Sequence, residues 1–286
     1  MAKYVPDIGS RRWVIIASGR TARPHDQKKI TPATPHACPF CPGNEDLTPP
    51  EVYRIGPGEK DKPGWEVRVV PNKFPITDIH EVIIHSGDDT KDLEDLPTEQ
   101  VIKVLRAYRD RYRAHENDGQ VLIFSNHGFS AGASLKHPHS QLVVVPRQIN
   151  LDAVSKEAVA NVVEENTYFI TYCPDFSQWP FEVWIAPKES AGKFSAVLDN
   201  ELEDLAIVLQ RALRKIREAQ TKGYFKSVHD EESFVYNFYI YHGENWFIRI
   251  TPRFVHRAGF ELGTGLNVNV ADPTEVAKIL REVSIQ

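Results

Sequence analysis

The feature that most restricts how this chain can fold is the segment 137–141, His-Pro-His-Ser-Gln, which runs directly into the apolar stretch 142–145. In an extended strand alternate residues share one face, so two imidazoles and a carboxamide would project the same way. Pro138 disfavours the helical region for His137, which argues against a helical arrangement of the two histidines. The segment therefore predicts a strand with both imidazoles at its mouth.

Two imidazoles on one face form a reactive arrangement. Imidazole has an unperturbed pKa of about 6.5, so near neutrality much of it is uncharged and able to attack phosphorus, bind a metal or move a proton. Two surface histidines at a strand start are the alternative that this motif leaves open by itself.

Composition and charge exclude several classes of protein. A chain of 286 residues, 41% hydrophobic and 26% charged, is typical of a globular protein with one large or two medium domains. The net charge of -5 argues against a broad nucleic-acid-binding surface. No apolar run approaches the roughly 20 residues that span a bilayer, and the N-terminus lacks the apolar centre of a signal peptide. We therefore expect a cytoplasmic protein that binds neither nucleic acid nor membrane.

The three cysteines exclude a disulfide framework. Cys173 lies in an apolar segment and is predicted to be a small core residue. Cys38 and Cys41 form a Cys-x-x-Cys motif typical of half a structural zinc site. A redox pair is the alternative, but such pairs usually open a helix after a strand, whereas this motif lies in a proline-flanked loop.

A zinc site needs further ligands, and His137 is the strongest candidate because zinc would then anchor the segment that carries His139. Spacing cannot choose the remaining ligand. The candidates are His80, His85, Asp88, Asp89, His115 and His127.

The same order of predicted strands and helices occurs twice along the chain. The first copy contains predicted strands at 13–17, 66–70, 80–85, 121–125 and 141–145, with a helix that starts near Thr98 and ends before Gly119. The Thr98 hydroxyl can cap that helix. The second copy contains predicted strands at 181–186, 234–241 and 246–250, with a helix at 200–221. A final helix is predicted at 274–282.

Short local matches support an internal duplication. They pair 80–84 with 181–185, 125–128 with 240–243, and 144–147 with 250–253. Consecutive strands with short connections predict an α+β architecture of mainly antiparallel sheets with helices packed on them. The second copy has Gly-Glu-Asn-Trp at 243–246 in place of the histidine segment, so only the first half is predicted to be catalytic.

Two loops could contact phosphate. Arg20 and Arg23 could clamp a phosphate with their guanidinium groups, although solvated loop arginines are the default interpretation. A glycine-punctuated loop leads into the histidines and would allow the backbone to approach a phosphate or ribose, although it could be a plain connection. Its residues of interest are Asn126, Gly128, Gly132 and Ser134.

Taken together, these residues resemble the galactose-1-phosphate uridylyltransferase family of the histidine-triad superfamily, from about Asp7 to the C-terminus. The resemblance rests on six motifs in order. They are Arg20 with Arg23, Cys38 with Cys41, Asn72 within 70–74, the segment 137–141, Trp-Pro-Phe-Glu at 179–182, and Ala-Gly-Phe-Glu at 258–261.

The resemblance implies two tandem histidine-triad-like half-domains, 1–170 and 171–286, in a homodimer. It implies that His139 is the nucleophile and that Gln141 and Ser134 contact the transferred phosphoryl group. It further implies a set of residues that hold the nucleotide or the sugar: Arg20, Arg23, Asn72, Asn126, Gly259, Phe260, Glu261 and Asn267.

The resemblance also implies one structural zinc ion held by Cys38, Cys41 and His137. Where many relatives have a third ligand, a histidine, this chain has Asp89, which we expect to replace it, with His85 in reserve. A second metal site found in some relatives needs histidines within 246–250, and this segment has none. We therefore expect a single metal site.

The predicted activity is a two-step transfer of a nucleoside monophosphate, with uridine as the expected base, from a nucleotide sugar to a hexose 1-phosphate. The segment 260–265 and Asn267 look closer to the plant-type relatives that act on ADP-glucose with phosphate, so an ADP-glucose phosphorylase is the alternative. A nucleotide-binding or zinc-stabilised protein without activity is the non-enzymatic alternative.

Overall fold

A ten-stranded antiparallel sheet carries both halves of the chain in the computed structural model, which describes residues 2–7, 12–17, 20, 37–149, 151, 158–189, 192–226, 228 and 234–285. Its strands are β3 (Tyr53–Ile55), β4 (Val67–Pro71), β5 (Ile79–Ile84), β6 (Gln120–His127), β7 (His139–Val145), β8 (Val162–Glu165), β9 (Phe169–Tyr172), β10 (Val183–Pro187), β11 (Tyr236–Ile240) and β12 (Ile248–Pro252). A separate hairpin pairs β1 (Lys3–Asp7) with β2 (Arg12–Ile16).

The strand order repeats outward from the centre of the sheet. One half runs β6-β7-β5-β4-β3 and the other runs β11-β12-β10-β9-β8, with β6 paired to β11 in the middle. Because each half has the same order of strands, the duplicated α+β architecture predicted from the local matches is confirmed. The half-domain boundary at residue 170 stays a prediction.

The helices follow the same repeat. Their bounds are α1 (Thr98–His115), α2 (Asp199–Thr221), α3 (Gly259–Thr264) and α4 (Pro273–Glu282). Helix α1 lies between β5 and β6, and α2 lies between β10 and β11. Leu105 and Tyr108 of α1 join Leu205 and Leu209 of α2 in the main core, against strand residues such as Leu142. Because burying each leucine stabilises the fold by about 2 kcal/mol, this face of the sheet is committed to packing.

The opposite face of the sheet has two smaller apolar clusters. One contains Phe40, Val82 and Ile84 of the first half, and the other contains Trp184 and Phe247 of the second half. Strand alternation determines which side chains reach this face. On β7 the helix face receives residues 140, 142 and 144, so residues 139 and 141 project onto the opposite face, where a site can form.

Most predicted elements are present with small shifts at their ends, while β1, β3, β8, β9 and α3 were not predicted. The prediction that Thr98 caps α1 is wrong. Pro97 is the N-cap, and the Thr98 hydroxyl instead donates to Gln210 Oε1 of α2 at 2.9 Å. Thr98 lies within α1 rather than at its cap, and its side chain links α1 to α2 through this bond. Cys173 is buried in the core as predicted, and burial raises the pKa of its thiol to about 12. Among the described residues, no helix combines the length and apolarity needed to cross a membrane.

Candidate active site

His139 is the first residue of β7 and is almost fully buried. Its Nδ1 lies 2.8 Å from the main-chain carbonyl of His137, to which it donates a hydrogen bond. This bond places the ring proton on Nδ1 and leaves Nε2 unprotonated in the neutral imidazole. The sequence favours this bond, since Pro138 disfavours the helical region for His137, whose carbonyl accepts it. The geometry therefore gives His139 the tautomer that a nucleophile needs.

Gln141 and Asn126 lie on the same face as His139. Gln141 follows it by two residues on β7, and Asn126 lies on β6 one residue beyond the Ser125–Ser140 pair. The Asn126 Oδ1 accepts a hydrogen bond from Asn237 Nδ2 at 2.8 Å, which turns the Asn126 amide group away from β11. Asn237 was not singled out in the sequence because its partner comes from the other half of the chain.

Asn72 lies in the turn that follows β4, and Arg20, which follows β2, docks on the same turn. The Asn72 Nδ2 lies 3.4 Å from Gln141 Oε1, and Arg20 donates to the Phe74 carbonyl at 2.8 Å. Arg23 lies outside the described residues. Ser134 is buried in the loop before β7, and its contact with a phosphoryl group stays a prediction.

Cys38, Cys41 and His137 form the metal-ligand cluster expected from the Cys-x-x-Cys motif at 38–41, which we call the knuckle. Their ligand atoms all lie within 4.8 Å of one another, with His137 Nδ1 3.4 Å from Cys38 Sγ and 3.6 Å from Cys41 Sγ. In a tetrahedral zinc site, sulfur and nitrogen ligands lie roughly 3.5 Å apart. The three residues therefore fit one structural zinc ion.

Protons in this cluster are arranged for metal binding. The His137 Nε2 donates to the Ser86 carbonyl at 2.9 Å, which leaves the Nδ1 lone pair facing the two sulfurs. Burial raises the pKa of Cys38, but its contact with His137 and the hydrogen bond from the Phe40 backbone outweigh burial and hold the pKa below its usual value. Burial, then Cys38 and Asp89, raise the pKa of Cys41 to about 12. A metal ion would replace the proton held on Cys41.

Asp89 lies against Cys41, since its carboxylate is among the groups that raise the pKa of the thiol. Among the described residues, it does not belong to the set whose ligand atoms lie within 4.8 Å of one another. Its role as the replacement ligand stays a prediction. The other candidate histidines have partners elsewhere: His80 with Gln141, His85 with Ser140 and Tyr108, His115 with Glu81 and Asp118, and His127 with Asp92.

Phe40, inside the Cys-x-x-Cys motif, links the cluster of Cys38, Cys41 and His137 to His139. Its ring packs edge-on against His139 with centroids 5.2 Å apart and against His137 at 6.1 Å. A cavity of about 310 Å³ opens beside these histidines, below the glycine-punctuated loop, and Asn126 and His127 help to line it. No sequence pattern indicated this role for Phe40, because an aromatic residue between two cysteines could pack in many ways.

The four substrate contacts predicted near the C-terminus lie in α3 and just after it. Gly259, Phe260 and Glu261 form the start of α3, and Asn267 follows it; all but Glu261 are exposed, and none is among the described residues that line the cavity. The Glu261 carboxylate accepts a hydrogen bond from the Ala258 amide at 2.9 Å, and this bond lowers the pKa of Glu261. Their contact with a substrate stays a prediction.

The second half has a buried ion pair on the equivalent face. Arg249 Nε and Nη2 donate to the Glu182 carboxylate at 2.7 and 2.9 Å, and Trp184 Nε1 donates to the same group at 2.7 Å. The buried Glu182 carboxylate thus accepts hydrogen bonds from one guanidinium and one indole group. In the motif at 179–182, Glu182 thus helps to hold the sheet together.

Comparisons with known proteins find relatives along nearly the whole chain. A family model described as galactose-1-phosphate uridyl transferase, N-terminal domain, matches residues 77–145. The chain is 30% identical to an ADP-glucose phosphorylase from Arabidopsis thaliana, over 98% of this chain and 92% of that protein. It is 26% identical to a galactose-1-phosphate uridylyltransferase from Thermotoga maritima, over 96% of each.

A solved structure extends this likeness to three dimensions. The crystal structure of an ADP-glucose phosphorylase from Arabidopsis thaliana with bound ADP-glucose matches with a TM-score of 0.74 and 27% identity, and the match covers 100% of both chains. Similarity along nearly the whole chain, in sequence and in fold, shows that this protein is a nucleotidyltransferase that belongs to the galactose-1-phosphate uridylyltransferase family.

Proposed function

We propose that the protein transfers a nucleoside monophosphate from a nucleotide sugar to a phosphate-bearing acceptor through a covalent intermediate on His139. The Nε2 lone pair forms a bond to the α-phosphorus, while the bond from phosphorus to the bridging oxygen breaks and its electron pair leaves with the sugar 1-phosphate. An oxygen of the acceptor then bonds to the same phosphorus, and the electron pair of the N–P bond returns to His139. The observation that carries this proposal is the Nδ1 bond to the His137 carbonyl.

Neighbouring polar groups support the same chemistry. The amide groups of Gln141 and Asn126 and the guanidinium of Arg20 are donors suited to the charged phosphoryl oxygens. Cys38, Cys41 and His137 would hold zinc, with Asp89 beside them. Zinc would supply a rigid anchor for the His137 segment rather than a contact to the substrate.

Two pairs of donor and acceptor fit this mechanism. UDP-glucose with a hexose 1-phosphate is the pair expected from the sequence. ADP-glucose with inorganic phosphate is the second candidate, and it is favoured by the relative at 30% identity and by the structure at 27% identity.

An exchange experiment tests the covalent mechanism. The enzyme is mixed with a nucleotide sugar and labelled glucose 1-phosphate, with no second acceptor. A covalent intermediate predicts that the label enters the nucleotide sugar, and the donor with faster exchange, UDP-glucose or ADP-glucose, identifies the base. Adding galactose 1-phosphate or phosphate then identifies the acceptor. Measurable transfer without any exchange would refute the covalent mechanism.

A homodimer forms part of this proposal. The segment after β12 exposes several large apolar side chains, including Phe260, Leu262 and Leu266, with 55%, 77% and 61% of their surface accessible. A strip of exposed apolar side chains in one short segment is typical of an interaction surface. Pairing of two chains through it would cover the strip and could bring Phe260 and Asn267 to the partner's site. A cytoplasmic location stays a prediction.

A further inference from the structure

The Gln141 carboxamide is held at its oxygen by two side chains from neighbouring elements. The Gln141 Oε1 lies 2.9 Å from His80 Nε2 on β5 and 3.4 Å from Asn72 Nδ2 on the turn after β4. His80 is buried and lies diagonally across from Gln141, since its direct partner on β7 is Val143. A long side chain can span such a diagonal.

The state of His80 Nδ1 determines which of His80 Nε2 and Gln141 Oε1 is the donor. The Ile76 amide donates to His80 Nδ1 at 2.9 Å, so Nδ1 carries the lone pair. In the neutral ring the proton then lies on Nε2, which donates to Gln141 Oε1. The Asn72 Oδ1 accepts from the Phe74 amide at 2.8 Å, so its Nδ2 points inward, 3.2 Å from His80 Nε2 and 3.4 Å from Gln141 Oε1. Because His80 Nε2 carries a proton in this arrangement, the acceptor for Asn72 Nδ2 is Gln141 Oε1.

These two donors decide which end of Gln141 faces the reaction. A planar carboxamide has its acceptor oxygen and its donor nitrogen on opposite sides. With Oε1 turned toward His80, the Nε2 group turns toward the open face that carries His139. Among the described residues, none accepts a hydrogen bond from Gln141 Nε2, so this donor is available to a ligand.

We propose that His80 is a positioning residue that fixes the Gln141 amide as a donor to the phosphoryl group during transfer. The inference rests on the proposed function, because it assigns the donor's ligand as the phosphoryl oxygen beside His139. Without His80 the carboxamide can rotate and present Oε1, which repels a charged oxygen. Loss of one such donor costs about 10²-fold in rate in comparable sites, so His80 controls a substantial share of transition-state stabilisation without contacting the substrate.

The test compares rates of nucleotidyl transfer to the enzyme in a single turnover. We expect His80→Leu to slow this step by about 10-fold to 10²-fold, with little change in KM for the nucleotide sugar. His80→Gln keeps a donor at this position and should recover much of the rate. Val143→Ala, a buried apolar change opposite His80, is the matched control, which should lower stability but leave the rate near that of the wild type.

A double variant separates positioning from a general structural role. If His80 acts through Gln141, the double variant with His80→Leu and Gln141→Ala should react no more slowly than Gln141→Ala alone. Additive effects of the two changes, or a wild-type rate in His80→Leu, would overturn the inference. Thermal unfolding of each variant checks that it is folded. Absence of any adduct on the wild-type enzyme would instead refute the proposed function.

Discussion

At the residue scale, the chemistry of this site depends on which ring nitrogen carries a proton. His139 donates through Nδ1 to a carbonyl two residues away, whereas His137 donates through Nε2 to the carbonyl of Ser86. The lone pair of the neutral ring therefore lies on Nε2 in His139, our proposed nucleophile, and on Nδ1 in His137, our proposed metal ligand. The sequence predicted both roles, but it could not predict the Ser86 contact, because that carbonyl is distant along the chain.

His115 provides a residue-scale prediction about pH. The hydrogen bond with Glu81 raises the pKa of His115, burial lowers it, and the hydrogen bond with Asp118 raises it again. The net result is a pKa above its usual value. The ion pair of protonated His115 with Glu81 therefore stabilises the fold fully below the unfolded-state pKa of about 6.5. This stabilisation is lost as the pH rises through the raised folded-state pKa. We expect His115→Gln to lose about 1 kcal/mol of unfolding free energy below that window and almost none above it.

Urea denaturation of both proteins on either side of the window measures this difference. Curves for wild type and His115→Gln that stay the same distance apart at every pH would contradict the pKa shift.

At the element scale, β7 is held at its entrance from both faces. On the helix face, Ser140 Oγ lies 2.8 Å from His85 Nε2 and 2.5 Å from the Tyr108 hydroxyl of α1. On the opposite face, Phe40 of the knuckle packs against His139. The strand that carries the nucleophile is thus fixed by a helix on one side and by the knuckle on the other.

The knuckle gives an element-scale prediction about zinc. Cys41→Ser removes one thiolate, so we expect bound zinc to fall well below one ion per chain and the thermal unfolding temperature to drop, because metal binding energy is folding energy. Activity should fall as well, since the knuckle positions Phe40 and His137. Metal analysis of the purified protein measures the zinc content.

Cys173→Ala is the matched control because Cys173 is buried in the core and away from the cluster. It should keep its zinc. Full zinc content and an unchanged unfolding temperature in Cys41→Ser would show that the cluster does not hold a structural metal.

At the scale of the whole molecule, the two halves share a continuous sheet through the β6–β11 pair but differ in what they place on its open face. The first half presents His139 and Gln141, and the second half presents the buried pair of Arg249 and Glu182. A duplicated fold thus supports catalysis in one half and packing in the other.

The exposed strip after β12 gives a prediction about assembly. We expect the wild type to be a dimer by light scattering and Leu262→Glu to shift it toward the monomer, because a buried carboxylate at an apolar interface is unfavourable. Leu198→Glu changes another exposed leucine, 59% accessible, and should leave the dimer intact. A monomeric wild-type protein, or a Leu262→Glu dimer as stable as the wild type, would contradict the proposed interface.

Sequence periodicity predicted the long strands, α1, α2 and the repeat, because these elements have strong apolar patterns. It did not predict β3, β8 or β9, which are only three or four residues long and leave too little pattern to detect. It also missed Asn237 and considered His80 only as a candidate zinc ligand, because their hydrogen bonds run between strands that are distant in the chain. The C-terminal contacts were placed by motif alone and lie outside the cavity of a single chain.

The most direct test of the account is to map the covalent adduct. The enzyme is mixed with a nucleotide sugar, quenched, and examined by intact mass and by peptide sequencing in a mass spectrometer. We predict one nucleoside monophosphate per chain, attached to His139, and no adduct in His139→Gly, whose unfolding temperature should show that it remains folded. An adduct on another residue, or turnover retained in His139→Gly, would contradict the central claim.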